Sequence, residues 1–199
     1  MQAVHFVIIG VMLIGGAVAI RGALEPREPT IVFKVEGERA YVFGTTDSYS
    51  GFVVRDLVRE NPQVTTLILQ AMPGTEDMTT NTRIARDIRN AGLATHVPAD
   101  GRIASGAVDW LAAGVTRTID CGAMVGVHSW GNAVGGRGDQ TFYDPQALMQ
   151  RDFLDDMGVD PGFYRFTKAA AGPDDIYWMT PAEMVRFDLL SEDPGCETP

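Results

Sequence analysis

Positive charge is what this chain most lacks. Lysine and arginine together number 16 against 26 aspartates and glutamates, for a formal net charge of −10. A chain so short of basic residues has no footprint for a phosphate backbone, which excludes nucleic acid as a partner. Most of the acidic excess lies from Asp144 onward and reads as a solvated face. Cysteine is nearly absent. Cys121 and Cys196 are too few for a disulfide framework and no metal-ligand spacing connects them, so neither a metal nor another cofactor is expected. In an extracytoplasmic setting the pair can still bond and tie down the tail, a matter of geometry that spacing alone does not decide. Lysine occurs only at positions 34 and 168, and histidine only at 5, 96 and 128. Internal repeats and low-complexity tracts are missing as well. What remains is an ordinary globular composition, 45% hydrophobic and 21% charged over 199 residues, enough for one domain with a substantial core.

The amino terminus is the exception to that composition. Ala3 to Ile20 is apolar apart from His5, and Arg21 closes the run. Roughly 18 residues is near the lower limit for spanning a bilayer. Ala17-Val18-Ala19 also has the small-residue form of a cleavage site, so a retained anchor and a removable signal peptide both stand. Arg21, Arg27 and Lys34 follow the run, which by the positive-inside rule favours a cytoplasmic domain. The chain therefore divides into a membrane or signal segment over 1–21, a proline-containing linker over 22–29, one folded domain over 30–190 and a polar tail over 191–199.

Within the domain, Ile31 to Val35 and Ala40 to Phe43 are β-rich runs around Glu36-Gly37-Glu38, the pattern of a hairpin. Ser48 to Glu60 has helical spacing and stops at Asn61-Pro62. Val64 to Leu69 reads as a buried strand followed by the Ala71–Gly74 loop. Thr79 to Ala91 reads as a helix, Leu93 to Val97 as the next strand, and Asp100 to Ser105 as a loop. Strands separated by helices imply βαβ units and hence a parallel sheet. Four glycines make Gly131 to Gly138 a loop. Asp144-Pro145 opens a further helix, and Thr180-Pro181-Ala182-Glu183 is a capping box whose helix is expected to run through Leu189.

The chemistry gathers where strands end. In open α/β sheets ligands collect beyond the carboxyl ends of parallel strands, and the loops at Pro73-Gly74 and before Ser105 both follow strands. Ser105, in the small-residue turn Ala104-Ser105-Gly106, opens a helix whose unpaired amides favour developing negative charge. Gly106 leaves an unobstructed amide, and Gly74 or Thr75 is placed to give a second, the makings of an oxyanion hole. A serine nucleophile needs a base. His5 lies in the membrane segment and His96 in the strand before the nucleophile loop, while His128 ends the strand-like run after the nucleophile's helix. Lys168 is far downstream, which argues against a serine–lysine pair. Asp109, one turn after Ser105, faces either the site or solvent.

Taken together, Pro73-Gly74, Ala104-Ser105-Gly106-Ala107 with Leu111-Ala112-Ala113-Gly114, and Val127-His128 resemble the Clp-type serine peptidases. Their membrane-associated or periplasmic bacterial relatives are the nearer likeness. Trp178-Met179-Thr180-Pro181-Ala182-Glu183 resembles the family's closing helix motif. The resemblance implies a ClpP/crotonase-like α/β fold with a parallel βαβ sheet. It also implies Ser105 as nucleophile, His128 as base, Gly74, Thr75 and Gly106 around the oxyanion, and Asp175 as the orienting acid, with Asp174 beside it. Thr75 stands where the family has a second glycine, and one extra residue separates Asp175 from the aromatic that follows. The expected function is peptide-bond hydrolysis through an acyl-enzyme on a peptide or protein substrate, in a membrane-associated domain facing the periplasm, the cytoplasmic face remaining open. Ring assembly in relatives implies a homo-oligomer. Two other readings are a non-catalytic membrane-tethered scaffold and a crotonase-type acyl-CoA enzyme, the latter requiring a carboxylate at the reacting centre and a basic groove.

Overall fold

The structure, a computed structural model, describes residues 30–130 and 144–196. The apolar run at 3–20 and the glycine-rich stretch at 131–138 lie outside the described residues. Among the described residues no helix is long and apolar enough to cross a membrane.

Among the described residues the core is a mixed eight-stranded sheet. Strands β1 (Ile31–Glu36) and β2 (Arg39–Gly44) form the expected hairpin, antiparallel from Ile31↔Gly44 to Glu36↔Arg39. Gly37 takes a φ of 60° in its turn, a left-handed value that glycine adopts without a Cβ clash. Ahead of α1 (Val53–Glu60), the Asp47 carboxylate accepts from the Tyr49 amide at 3.0 Å and the Ser50 hydroxyl at 2.8 Å. That local turn occupies the residues where the spacing predicts the start of a helix at Ser48, and α1 begins five residues later at Val53.

Strand β3 (Thr66–Met72) is the branch point of the sheet. Its first half pairs with β4 (Ala94–Val97) and its second half, at Ala71 and Met72, with β5 (Arg102–Ala104), all parallel. Leu67 and Leu69 are fully buried there, each worth about 1.5–3 kcal/mol relative to exposure. Helix α2 (Met78–Asn90) connects β3 to β4, and α3 (Ala107–Ala113) connects β5 to β6 (Arg117–Ile119), which pairs with β4. Strand β7 (Met124–Val127) lies parallel to β5 and antiparallel to the short β8 (Tyr177–Trp178). The antiparallel pairs at both ends make the sheet mixed, where the βαβ pattern predicts a parallel one. Residues 102–104, expected as loop, are a central strand between β3 and β7. Three residues are too few to show alternation, so pairing rather than pattern makes this segment a strand.

Helix α4 (Pro145–Asp156) packs against α2 and against α5 (Gly162–Ala170). Helix α6 (Pro181–Arg186) has the capping box complete, with both reciprocal bonds between Thr180 and Glu183. It ends at Arg186 rather than Leu189, because Asp188 turns left-handed at φ 55° and the Leu189 amide folds back to Met184 O at 2.9 Å.

Cys121 and Cys196 form a disulfide, with Cα atoms 5.4 Å apart across 75 residues of sequence. It fastens the tail to the β6–β7 corner, where Ser191 also exchanges bonds with Arg117. Closing a loop of this length removes unfolded-state entropy worth about 4 kcal/mol. Cys196→Ser is therefore expected to lower the urea-unfolding free energy by about 2–4 kcal/mol. Reductant should reproduce the loss in wild type and leave the variant unchanged.

Candidate active site

The end of β5 sets the site. Ser105 follows Ala104 directly and adopts φ 56°, a left-handed conformation rare for a residue with a Cβ. That costs about 1–2 kcal/mol, so neighbouring bonds must over-determine it. The Ser105 amide donates to Gly126 O of β7 at 3.0 Å, and its carbonyl accepts from Val108 N at 3.0 Å. These bonds turn the chain sharply from strand into helix, and Gly106 is the helix cap.

The loop after β3 closes on this turn. Gly74 has φ 143°, and a Cβ there would stand 2.9 Å from Ser105 Cβ and 3.4 Å from Ser105 Oγ. A Cβ on Gly106 would collide with the Thr75 side chain. Neither glycine has room for a side chain, so each turn's glycine backbone abuts a side chain of the other turn. Thr75 pairs with Thr46 in a parallel bridge, in which Thr46 N donates to Gly74 O at 3.1 Å and Glu76 N to Thr46 O at 2.7 Å. Those bonds use the groups flanking Thr75. The backbone amides of Thr75 and Gly106 have no hydrogen-bond partner among the described residues. Threonine in place of a second glycine thus leaves the amide available, and its hydroxyl is occupied with Thr46 O and Asp77 O.

Ser105 and His128 line one cleft. Apolar walls come from Met78, Val108, Leu154, Phe163 and Tyr164. Four residues beyond Ser105 along α3, Asp109 is only 4% exposed and also lines the cleft. Its Oδ2 accepts from Asn81 Nδ2 at 2.9 Å and its Oδ1 from Gln150 Nε2 at 2.7 Å. Burial raises its pKa to about 7, against the opposing pull of those two bonds. The alternative of a solvated carboxylate is thereby removed.

The other expected residues lie elsewhere. Asp174 and Asp175 are exposed in the turn before β8, where the Asp175 amide donates to Gly172 O at 3.2 Å. Neither carboxylate has a hydrogen-bond or ionic partner among the described residues, and His128 Nδ1 is buried without a partner. No bond joins Asp175 to the histidine among the described residues: pairing of β8 with β7 begins at Tyr177, and the two carboxylates just before it are exposed. His96 is engaged on the β4–β6 side, its Nδ1 2.9 Å from Thr118 Oγ1. Lys168, distant in sequence, lies with Nζ 4.4 Å from the ring centre of Trp130 at the cleft wall. It does not itself line the cleft. Among the described residues no cluster of histidine, cysteine, aspartate and glutamate could hold a metal ion.

No protein-family model matches the sequence, and no curated protein matches it. Solved structures do match in shape. The DspI protein of Pseudomonas aeruginosa superposes with a TM-score of 0.53 at 12% identity, over 88% of this chain and 78% of its own. A membrane-bound stomatin-specific protease, solved as a mutant, gives 0.53 at 10% identity over 79% and 80%. An enoyl-CoA hydratase from Shewanella pealeana ATCC 700345 gives 0.52 at 10% identity over 81% and 66%. The chain thus has the mixed α/β ClpP/crotonase-like fold, and identities this low speak for the fold alone.

Proposed function

We propose that the protein is a serine hydrolase that cleaves peptide bonds through an acyl-enzyme on Ser105. One observation carries this reading: a serine held left-handed at a strand-to-helix turn, with the unpaired amides of Thr75 and Gly106 on the two turns packed at it. In this mechanism Ser105 Oγ attacks the substrate carbonyl while His128 takes its proton. The oxyanion is received by the Thr75 and Gly106 amides, each such donor contributing about 3 kcal/mol to transition-state stabilisation. His128 returns the proton to the departing amine, and water repeats the sequence to release the acid. With no carboxylate on His128 Nδ1 among the described residues, turnover is expected to be slow. In serine-protease triads a defective acid costs about 10⁴-fold in kcat.

A second reading has its own support. The same two amides suit a thioester carbonyl, and Asp109 supplies a cleft carboxyl able to exchange a proton near neutrality, as an acyl-CoA enzyme requires. Against it, the described residues that line the cleft include no lysine or arginine for nucleotide phosphates. Incubation of the protein with a mixed peptide library and, separately, with acyl-CoA thioesters separates the two. Ser105-dependent peptide cleavage with intact thioesters is the expected result; turnover of thioesters alone would replace the peptidase reading.

We place the site outside the cytoplasm, because the Cys121–Cys196 disulfide suits an oxidising compartment. In this reading residues 3–20 serve as the membrane tether or leader. Assembly into a homo-oligomer is part of the same proposal and has no support beyond the resemblance.

A further inference from the structure

An oxyanion hole works only if its two donors keep a fixed separation, and here they come from segments far apart in sequence. The Thr75 amide precedes α2, and the Gly106 amide opens α3. Something must hold α2 and the Ser105 turn in register at the point where they meet.

We propose that Asn81 is the positioning residue for this oxyanion site, clamping the Ser105–Gly106 turn to the helix that the Thr75 loop begins. Asn81 is fully buried in α2. Its Nδ2 donates to Gly106 O and to Asp109 Oδ2, each at 2.9 Å. Its Oδ1 accepts from Trp110 Nε1 at 2.9 Å. The indole N–H can only donate, so it dictates which end of the carboxamide is oxygen and leaves Nδ2 facing Gly106. Gly106 O also accepts from Asp109 N at 3.2 Å, and Asn81 is the side chain bonded to this turn among the described residues. On the α2 side the link to Thr75 is short and rigid. Asp77 N donates to Thr75 Oγ1 at 3.0 Å, and the Asp77 carboxylate caps the helix by accepting from Thr80 N at 2.9 Å. Asn81 follows within the first turn. A chain of hydrogen bonds therefore runs from the Thr75 loop through Asp77 and α2 to Asn81 and across to Gly106. Asp109 and Gln150 complete the surround of the carboxamide.

This role rests on the reading of Thr75 and Gly106 as oxyanion donors, and its test has one arm that depends on that reading and one that does not. In the first, full-length Asn81→Ala is reacted with a fluorophosphonate probe over a range of concentrations at a single pH. The inactivation rate constant is expected to fall about 10- to 100-fold, the usual cost of a reacting group misplaced by about an ångström. Probe affinity should stay as in wild type. Trp110→Phe, which removes only the N–H that orients the carboxamide, should show a smaller fall of the same kind. In the second, amide hydrogen exchange of the 104–110 segment in Asn81→Ala should quicken at least tenfold with the rest of α2 still protected. An unchanged inactivation rate, or a fall accounted for by weaker probe affinity, would overturn the positioning role. If wild type itself does not label, the hydrolase reading fails while the exchange arm still decides the clamp. Unaltered exchange at 104–110 would then overturn it, and exchange that quickens across the whole chain would do the same by marking a general loss of fold.

Discussion

Ser105→Ala is expected to lose all hydrolytic activity above background while its unfolding free energy stays within about 0.5 kcal/mol of wild type. The two halves follow from different features of one residue. Ser105 Oγ makes no hydrogen bond among the described residues, so deleting it leaves no orphaned partner. Alanine meets the same left-handed backbone, at φ 56°, with the same Cβ, so the strain is unchanged. The nucleophile itself is irreplaceable: in a complete serine-protease triad its loss costs about 10⁶ in kcat, and from a baseline already lowered about 10⁴-fold by the missing acid about 10² of that remains to be lost. His128→Ala should fall nearly as far, because members of such a unit act together and their losses do not add. Paired urea titrations and initial-rate measurements check both. A Ser105→Ala variant that retains activity removes the nucleophile assignment, whatever becomes of the fold.

Asp109→Asn carries the largest expected effect on stability, and the effect depends on pH. Burial lifts the Asp109 carboxyl from its ordinary 3.8 to about 7 in the folded protein. Between those values the folded chain keeps a proton that the unfolded chain has released. Stability from this group is therefore full below about pH 4, declines as pH rises, and is gone above about pH 7. Three pK units correspond to about 4 kcal/mol. Asparagine cannot ionise, so the variant is spared that decline. Relative to wild type it should gain on the order of 4 kcal/mol between pH 4 and pH 8. The site accommodates the change. Asn81 Nδ2 still finds an oxygen, and Gln150 Oε1, now buried without a partner, can turn to accept from the new amide. The difference between the two urea-unfolding free energies, taken at both pH values, isolates this group from other carboxylates. A difference that does not vary with pH would show that folding leaves the Asp109 carboxyl at its ordinary value and overturn the buried, proton-holding reading.

The parts of the site visible in the sequence are those made by short-range constraint. Ala104-Ser105-Gly106 and Pro73-Gly74 mark turns by residue type, and the structure brings them together because β3 and β5 are neighbours in the sheet. His128 follows from the end of β7. The parts that were hidden depend on where helices land. Gln150, Leu154, Phe163 and Tyr164 reach the cleft on α4 and α5, whose packing no local pattern records. Lys168 shows the same limit, since sequence separation from Ser105 says nothing about its distance in the fold. Asp175 marks a related limit: the family motif supplies a residue, while the β7–β8 register decides where its side chain stands. Asp109 had an available signal. Helix α3 is apolar on every side of its seven residues, and a helix apolar all round is buried all round, which makes a carboxylate inside it an interior group that requires partners.

The central claim is that Ser105 is a nucleophile facing a formed oxyanion site, and covalent trapping tests it most directly. Full-length protein is treated with a fluorophosphonate, weighed intact, then digested with trypsin and sequenced by mass spectrometry. The account requires one adduct per chain, carried on Ser105 in the peptide that spans 103–117. A folded protein that takes up no probe, or carries it on any other residue, would contradict it.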